Sequence, residues 1–186
     1  MTIIKSDEAE ENALLLAAQL MAVSMRTAPK TRGIDHIVTS IVTGEEKERL
    51  AQMMEQKIEQ KTKRLPFFKR DAENLRRSPV ALLVGVQGTS TEGIDCGACG
   101  YPTCDDFSKS ETRTGEDFTG PLCIFKAIDL GIAMGSAGKV ASELNIDNRL
   151  MYTVGAAAKA LKMLDADIII GIPLSASGKN IYFDRK

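Results

Sequence analysis

Residues 80–86 read VALLVGV. The run is almost continuously apolar and is opened by Pro79, which suits a strand covered on both faces and not one with a wet side. Two further runs have the same character. Residues 167–173 (DIIIGIP) form a second buried strand, and residues 36–43 (HIVTSIVT) are β-branched enough to form a third. Strands without a polar face require cover on each side, and the intervening sequence supplies it.

The covering elements are helical. Residues 6–26 carry Leu14, Leu15, Ala18, Met21, Ala22 and Met25 at helical spacing, with Ser6 or Asp7 as cap and acids in the first turn. Ala28-Pro29 ends that helix. Residues 45–59 form a charged helix with Leu50, Met53, Met54 and Ile58 inward, and a shorter helix spans 68–77. Residues 122–144 form the longest helix of the second half, and its Gly131, Gly135 and Gly138 let another backbone approach, as internal packing or as a homodimer face. A short strand at 150–154, a helix at 155–164 and an edge strand at 180–184 complete the chain. Alternating helices and strands predict an α+β fold, an α/β/α sandwich forming a single domain over 1–186.

The 186 residues are 44% hydrophobic and 26% charged, with a net charge of −1. Such a composition is that of a globular chain and carries no basic footprint for nucleic acid or anionic membrane. No apolar run reaches the ~18–20 residues that span a bilayer. The acidic N-terminus is unlike an export signal, so a cytoplasmic, reducing location is expected. There, clustered cysteines indicate metal or redox chemistry more often than disulfides.

All four cysteines lie in one glycine-, threonine- and aspartate-rich insertion, residues 87–123, where helical and strand periodicity vanish. They read DCGACGYPTC followed by Cys123, or C-x2-C-x4-C-x18-C. Four thiolates suit a cubane iron–sulfur cluster: Cys96 and Cys99 reach it from one tight turn, Cys104 follows Pro102, and Cys123 closes the set from the first turn of the next helix. Gly97 and Gly100 keep bulk away and leave backbone N–H groups free for the inorganic sulfides. The leading expectation is one [4Fe–4S] cluster on Cys96, Cys99, Cys104 and Cys123. Zinc is the main competitor, although zinc sites more often pair two C-x2-C knuckles. A [2Fe–2S] cluster or no metal completes the alternatives. His36 is expected to be structural, Tyr101 to shield the cluster or simply to pack, and Asp105-Asp106 to start a helix.

The block Cys96-Gly97-Ala98-Cys99-Gly100-Tyr101-Pro102-Thr103-Cys104 resembles the single-cluster module of corrinoid-protein small subunits and of the electron-input subunit of Rnf-type complexes. Outside it, Ala28-Pro29-Lys30-Thr31-Arg32-Gly33 with the following strand and charged helix, Arg77-Ser78-Pro79-Val80, and Ile170-Gly171-Ile172-Pro173 resemble the flavin-dependent nitroreductase fold. The whole chain is similar to a family of proteins described only as containing a ferredoxin domain. That resemblance implies a nitroreductase-like mixed sheet covered by helices, a homodimer, and FMN at its interface. Arg26, Lys30, Arg32 and Lys179 are the candidates for its phosphate. The resemblance implies electron transfer with a redox partner protein or small molecule. Whether the chain is a flavin-dependent oxidoreductase, or a non-enzymatic protein whose cluster or zinc is structural or redox-sensing, stays open at this point.

Overall fold

The computed structural model describes residues 3–60 and 67–183. Val80–Val86 forms the central strand β2 of a four-stranded sheet, and all seven of its residues are buried. With β1 (Ile37–Thr43), β5 (Asp147–Asn148) and β6 (Ile168–Ser175), the strand order is β1-β2-β6-β5. The β1–β2 register runs from Ile37 opposite Val86 to Thr43 opposite Val80, and the β2–β6 register from Val80 opposite Leu174 to Val86 opposite Ile168. Among the described residues every pairing is antiparallel, where a mixed sheet was expected. Antiparallel order needs no right-handed crossover, so the long connections are free to carry other elements.

Side chains alternate across β2. Leu82 and Val84 point to one face, where α1 (Ser6–Thr27) and α5 (Ile124–Glu143) bury Leu14, Met21, Leu130 and Ala133. Ala81 and Leu83 point to the other, against α2 (Gly44–Gln60), α3 (Phe67–Arg76) and α6 (Tyr152–Ala160), among Leu50, Met54, Phe68 and Ala157. This is the three-layer α+β sandwich the apolar runs imply. Helix α6 and strand β6 approach each other closely. A Cβ on Gly155 would lie 1.7 Å from the Ile169 carbonyl oxygen, and one on Gly171 would lie 2.2 Å from Val154 Cγ1.

Three local expectations are corrected. Residues 150–154 are not a strand: β5 lies earlier, at Asp147–Asn148, and Met151 makes only a single bridge to Gly171. The helix begins at Tyr152, where the Thr153 hydroxyl donates to Asp71 Oδ2 at 2.9 Å and ties α6 to α3. Residues 181–183 form a turn instead of an edge strand, because the Asn180 side-chain oxygen accepts from the N–H groups of Tyr182 (2.9 Å) and Phe183 (3.2 Å); Asp184 lies outside the described residues. The insertion contains a one-turn helix, α4 (Cys104–Ser108), and a small hairpin of β3 (Arg113–Thr114) with β4 (Thr119–Gly120).

In α5, Ala133, Ala137 and Ala141 are the small residues that meet the core. Gly131, Gly135 and Gly138 face open space: a methyl group added at any of them would have no described atom outside its own helix within 4 Å. Beside them stand the exposed Ile128 and Ile132, and α1 exposes Leu16, Leu20 and Val23.

Candidate metal centre and its surroundings

The ends of the insertion are tied together before any cysteine is considered. The Cys123 N–H donates to the Gly88 carbonyl at 2.9 Å, bringing the last cysteine back beside the end of β2. Asp167, at the approach to β6, reinforces this: its carboxylate accepts the Thr89 N–H at 2.9 Å and its carbonyl accepts the Thr119 N–H at 3.1 Å. A loop with fixed ends has lost much of the closure entropy that ligand binding would otherwise have to overcome.

Within it, positive φ angles at Asp95 (51°), Gly97 (67°) and Gly100 (90°) fold the C-x2-C segment into a turn closed by Gly100 N–H to Gly97 carbonyl at 3.1 Å. Left-handed backbone is cheap at glycine and costly at most other residues. At Asp95 the side chain compensates, since its Oδ1 accepts the Cys104 N–H at 2.6 Å. In return the Asp95 N–H points at Cys104 Sγ, 3.4 Å away, an N–H···S contact of the kind that stabilises a cluster-bound thiolate. Cys104 is the first residue of α4, and Thr103 caps that helix by accepting the Asp106 N–H at 3.1 Å. Asp105-Asp106 therefore starts a helix, as expected. Phe107 is buried beneath this turn with Tyr101 edge-on at 5.5 Å, so Tyr101 packs. Cys123 is the N-cap of α5, one residue before the helical turn where it was expected.

All four cysteines are free thiols, ranging from exposed at Cys96 to buried at Cys123. Among the described residues, no three Cys, His, Asp or Glu side chains converge as a single metal ion requires. The donor set and the N–H···S contact fit an iron–sulfur cluster.

A group of charges that the sequence analysis overlooked lies beside the cysteines. Glu92 and Lys126 are buried, with side chains 1% and 0% exposed, and Lys126 Nζ is 2.8 Å from Glu92 Oε1. His36 Nε2 stands 3.5 Å from the same oxygen, and Arg32 Nη1 donates to the Glu92 carbonyl at 2.6 Å. His36 is thus a neighbour of the buried carboxylate, in keeping with a structural role. Asp129, one turn beyond Lys126, accepts the Thr31 N–H at 3.0 Å and its hydroxyl at 3.0 Å, clamping a turn in which Arg32 has φ +56°. The available signal was Lys126 and Asp129 in the otherwise apolar first half of the helix after Cys123, which the reading of that helix passed over.

The four basic residues named for a phosphate divide. Arg26 pairs with Asp35 at 2.5 Å, Lys30 donates to the Met25 and Arg26 carbonyls at the end of α1, and Arg32 holds Glu92. These three share one neighbourhood. Burial disfavours the charged form of Asp35, but the Ile37 N–H together with Arg26 and Lys30 outweighs it and holds the carboxyl below its ordinary range. Lys179 follows Ala176, which lines a groove with Glu10 and Leu14 near the start of α1. Arg26 lies twelve residues further along α1 than Leu14, about 18 Å at the helical rise.

On the opposite face, Lys57 Nζ donates to Asp117 Oδ1 at 2.9 Å and to the Glu116 carbonyl at 3.0 Å, while the Tyr152 hydroxyl donates to Asp117 Oδ2. Lys57, Glu116 and Asp117 border a cavity of about 470 Å³ that also meets Lys159, Lys162 and Thr114.

A family model described as "Uncharacterized protein containing a ferredoxin domain" matches residues 119–185, and one described as "Putative Fe-S cluster" matches residues 92–110. A protein of Archaeoglobus fulgidus, itself described as uncharacterized, is 48% identical over 183 residues, covering 98% of this chain and 97% of its own length. The chain belongs to the ferredoxin-domain family. The second match runs from Glu92 through Cys96, Cys99 and Cys104.

Solved structures show the fold of this ferredoxin-domain protein to be nitroreductase-like. A nitroreductase with bound FMN from Desulfitobacterium hafniense superposes with a TM-score of 0.55 at 13% identity, covering 96% of this chain and 82% of that one. A nitroreductase family protein from Clostridium novyi gives 0.54 at 15% identity, covering 96% and 76%. The FMN-dependent nitroreductase of Mycobacterium smegmatis in complex with NADPH gives 0.53 at 10% identity, covering 88% and 78%. Among the described residues, no helix is long and apolar enough to cross a membrane.

Proposed function

We propose that this chain is a one-electron redox protein that holds a [4Fe–4S] cluster on Cys96, Cys99, Cys104 and Cys123. The observation that carries the reading is the paired restraint of the cysteines. Gly88 holds Cys123 at the mouth of α5, and Asp95 both fixes the Cys104 backbone and aims its own N–H at the Cys104 sulfur. When bound, such a cluster supplies reversible one-electron transfer. The chain's residues orient the thiolates, keep Cys123 out of water and leave the Cys96 turn at the surface, where a donor or acceptor can approach.

The nitroreductase-like frame supports a second cofactor, FMN, lying between two copies of the chain. The exposed apolar residues of α1 and α5 flank a row of glycines that meets no other described part of the molecule, and a second copy covers this face in the proposed dimer. Arg26 and Arg32, at the same end of α1, are the guanidinium groups available to a phosphate there. The exposed Cys96 turn equally suits a redox sensor, in which the cluster orders the insertion without turnover.

Anaerobic purification followed by assay of iron, acid-labile sulfide, zinc and flavin per chain tests these readings together. About four irons and four sulfides, lost in Cys99→Ser, are expected. Bound or readily taken-up FMN selects the oxidoreductase; a cluster with no flavin affinity selects the sensor. Zinc without sulfide refutes the redox proposal.

A further inference from the structure

Glu92 and Lys126 form a buried pair of opposite charges that is poorly built for stability. Their 2.8 Å contact lies outside hydrogen-bond geometry, and among the described residues neither Glu92 oxygen nor Lys126 Nζ has a hydrogen-bond partner. Burying two charges costs several kcal/mol per ion, recovered only with good geometry and further hydrogen bonds, and apolar replacements are often as stable. The placement of the pair is more telling. Lys126 is three residues after Cys123 on the first turn of α5, and side chains at that spacing stand about 5–6 Å apart at Cβ. Glu92 precedes Cys96 by four residues, and its carbonyl is held by Arg32. His36 Nε2 stands 3.5 Å from Glu92 Oε1.

We propose that Lys126 and Glu92 are positioning residues that set the reduction potential of the cluster site. The inference rests on the cluster reading above. Accepting one electron from a one-electron donor makes the site more negative, with no bond broken. A buried ammonium beside Cys123 favours that state, a buried carboxylate opposes it, and neither is screened as surface charges are. The pair therefore holds the potential between two limits, and removing one member releases the other's field.

Equilibrium titration of the anaerobically purified holoprotein against a low-potential viologen-class dye reads this directly, with electron paramagnetic resonance of the reduced form as the check on cluster integrity. In Glu92→Gln, which keeps shape and removes the negative charge, the electron-sharing ratio shifts at least tenfold toward the reduced cluster, equivalent to 59 mV for one electron. In Lys126→Met it shifts at least tenfold the other way. The double variant returns to within threefold of wild type. A merely structural pair would lose iron or stability without opposed shifts. Should Lys126→Met fail to assemble, Glu92→Gln alone decides: full iron and sulfide with a ratio within threefold of wild type overturns the proposal, as do shifts of the same sign. A wild-type chain that holds no iron or sulfide overturns the cluster reading itself, a result distinct from an unshifted potential.

Discussion

Replacing Gly155 by alanine tests the packing on which the site is built. A Cβ there would lie 1.7 Å from the Ile169 carbonyl oxygen, 2.4 Å from its carbon and 2.9 Å from Ile170 Cα. All three are backbone atoms of β6, so no side-chain rotation relieves the clash, and α6 must retreat from the sheet by more than ~1 Å, since a close-packed core has no slack to absorb it. Overpacking of this kind costs about 1–3 kcal/mol, with backbone clashes at the upper end. Alanine returns up to about 1 kcal/mol in helix propensity. The net loss is about 2 kcal/mol, which for a chain of this size lowers Tm by about 4–8 °C. Differential scanning calorimetry at fixed cofactor content measures it. Gly135→Ala is the comparison within one chain, because there its new methyl meets no described atom outside its own helix, so any fall in its Tm reports on the proposed dimer face and not on α6. An unchanged or raised Tm in Gly155→Ala would refute the close α6–β6 packing.

Gly135→Ala also reports on assembly: in analytical ultracentrifugation the proposed dimer weakens, whereas a monomer is only stabilised, by up to about 1 kcal/mol. Lys57→Met leaves the Asp117 carboxylate with one cation fewer in a buried setting, and urea unfolding is expected to show a loss of about 3 kcal/mol, toward the low end for a broken buried pair because Tyr152 still donates to it. Asp35 has a folded-state pKa below its ordinary 3.8, so its stabilisation is present above that value and is lost as pH falls through the lower folded value. The gap in Tm between wild type and Asp35→Asn is therefore expected at pH 7 and closes toward pH 2. Chelation of the bound iron is expected to leave β1, β2 and β6 protected in amide hydrogen exchange while residues 89–122 lose protection.

The strands were legible because residues 80–86, 167–173 and 36–43 each carry their environment in composition: a run without polar residues has only one stable place, between two layers of helices. The Fe–S segment was legible for a similar reason: Cys96, Cys99 and Cys104 stand together at a spacing unlike that of scattered core cysteines, and the family match falls on them. Residues 150–154 misled because their apolar, β-branched run suits either state. The choice was made by Met151 bridging Gly171 and by Thr153 reaching Asp71, partners distant in sequence.

The buried charges were invisible for a deeper reason. Nothing in the isolated Glu92 or Lys126 shows that the two meet, since 34 positions separate them and only the return of Cys123 to Gly88 brings them together. Sequence alone determined the layers and the family, because these follow from local composition and spacing. Tertiary structure decided the antiparallel order of the sheet and the pairing of Glu92 with Lys126, because each depends on which distant segments the closed core forces into contact.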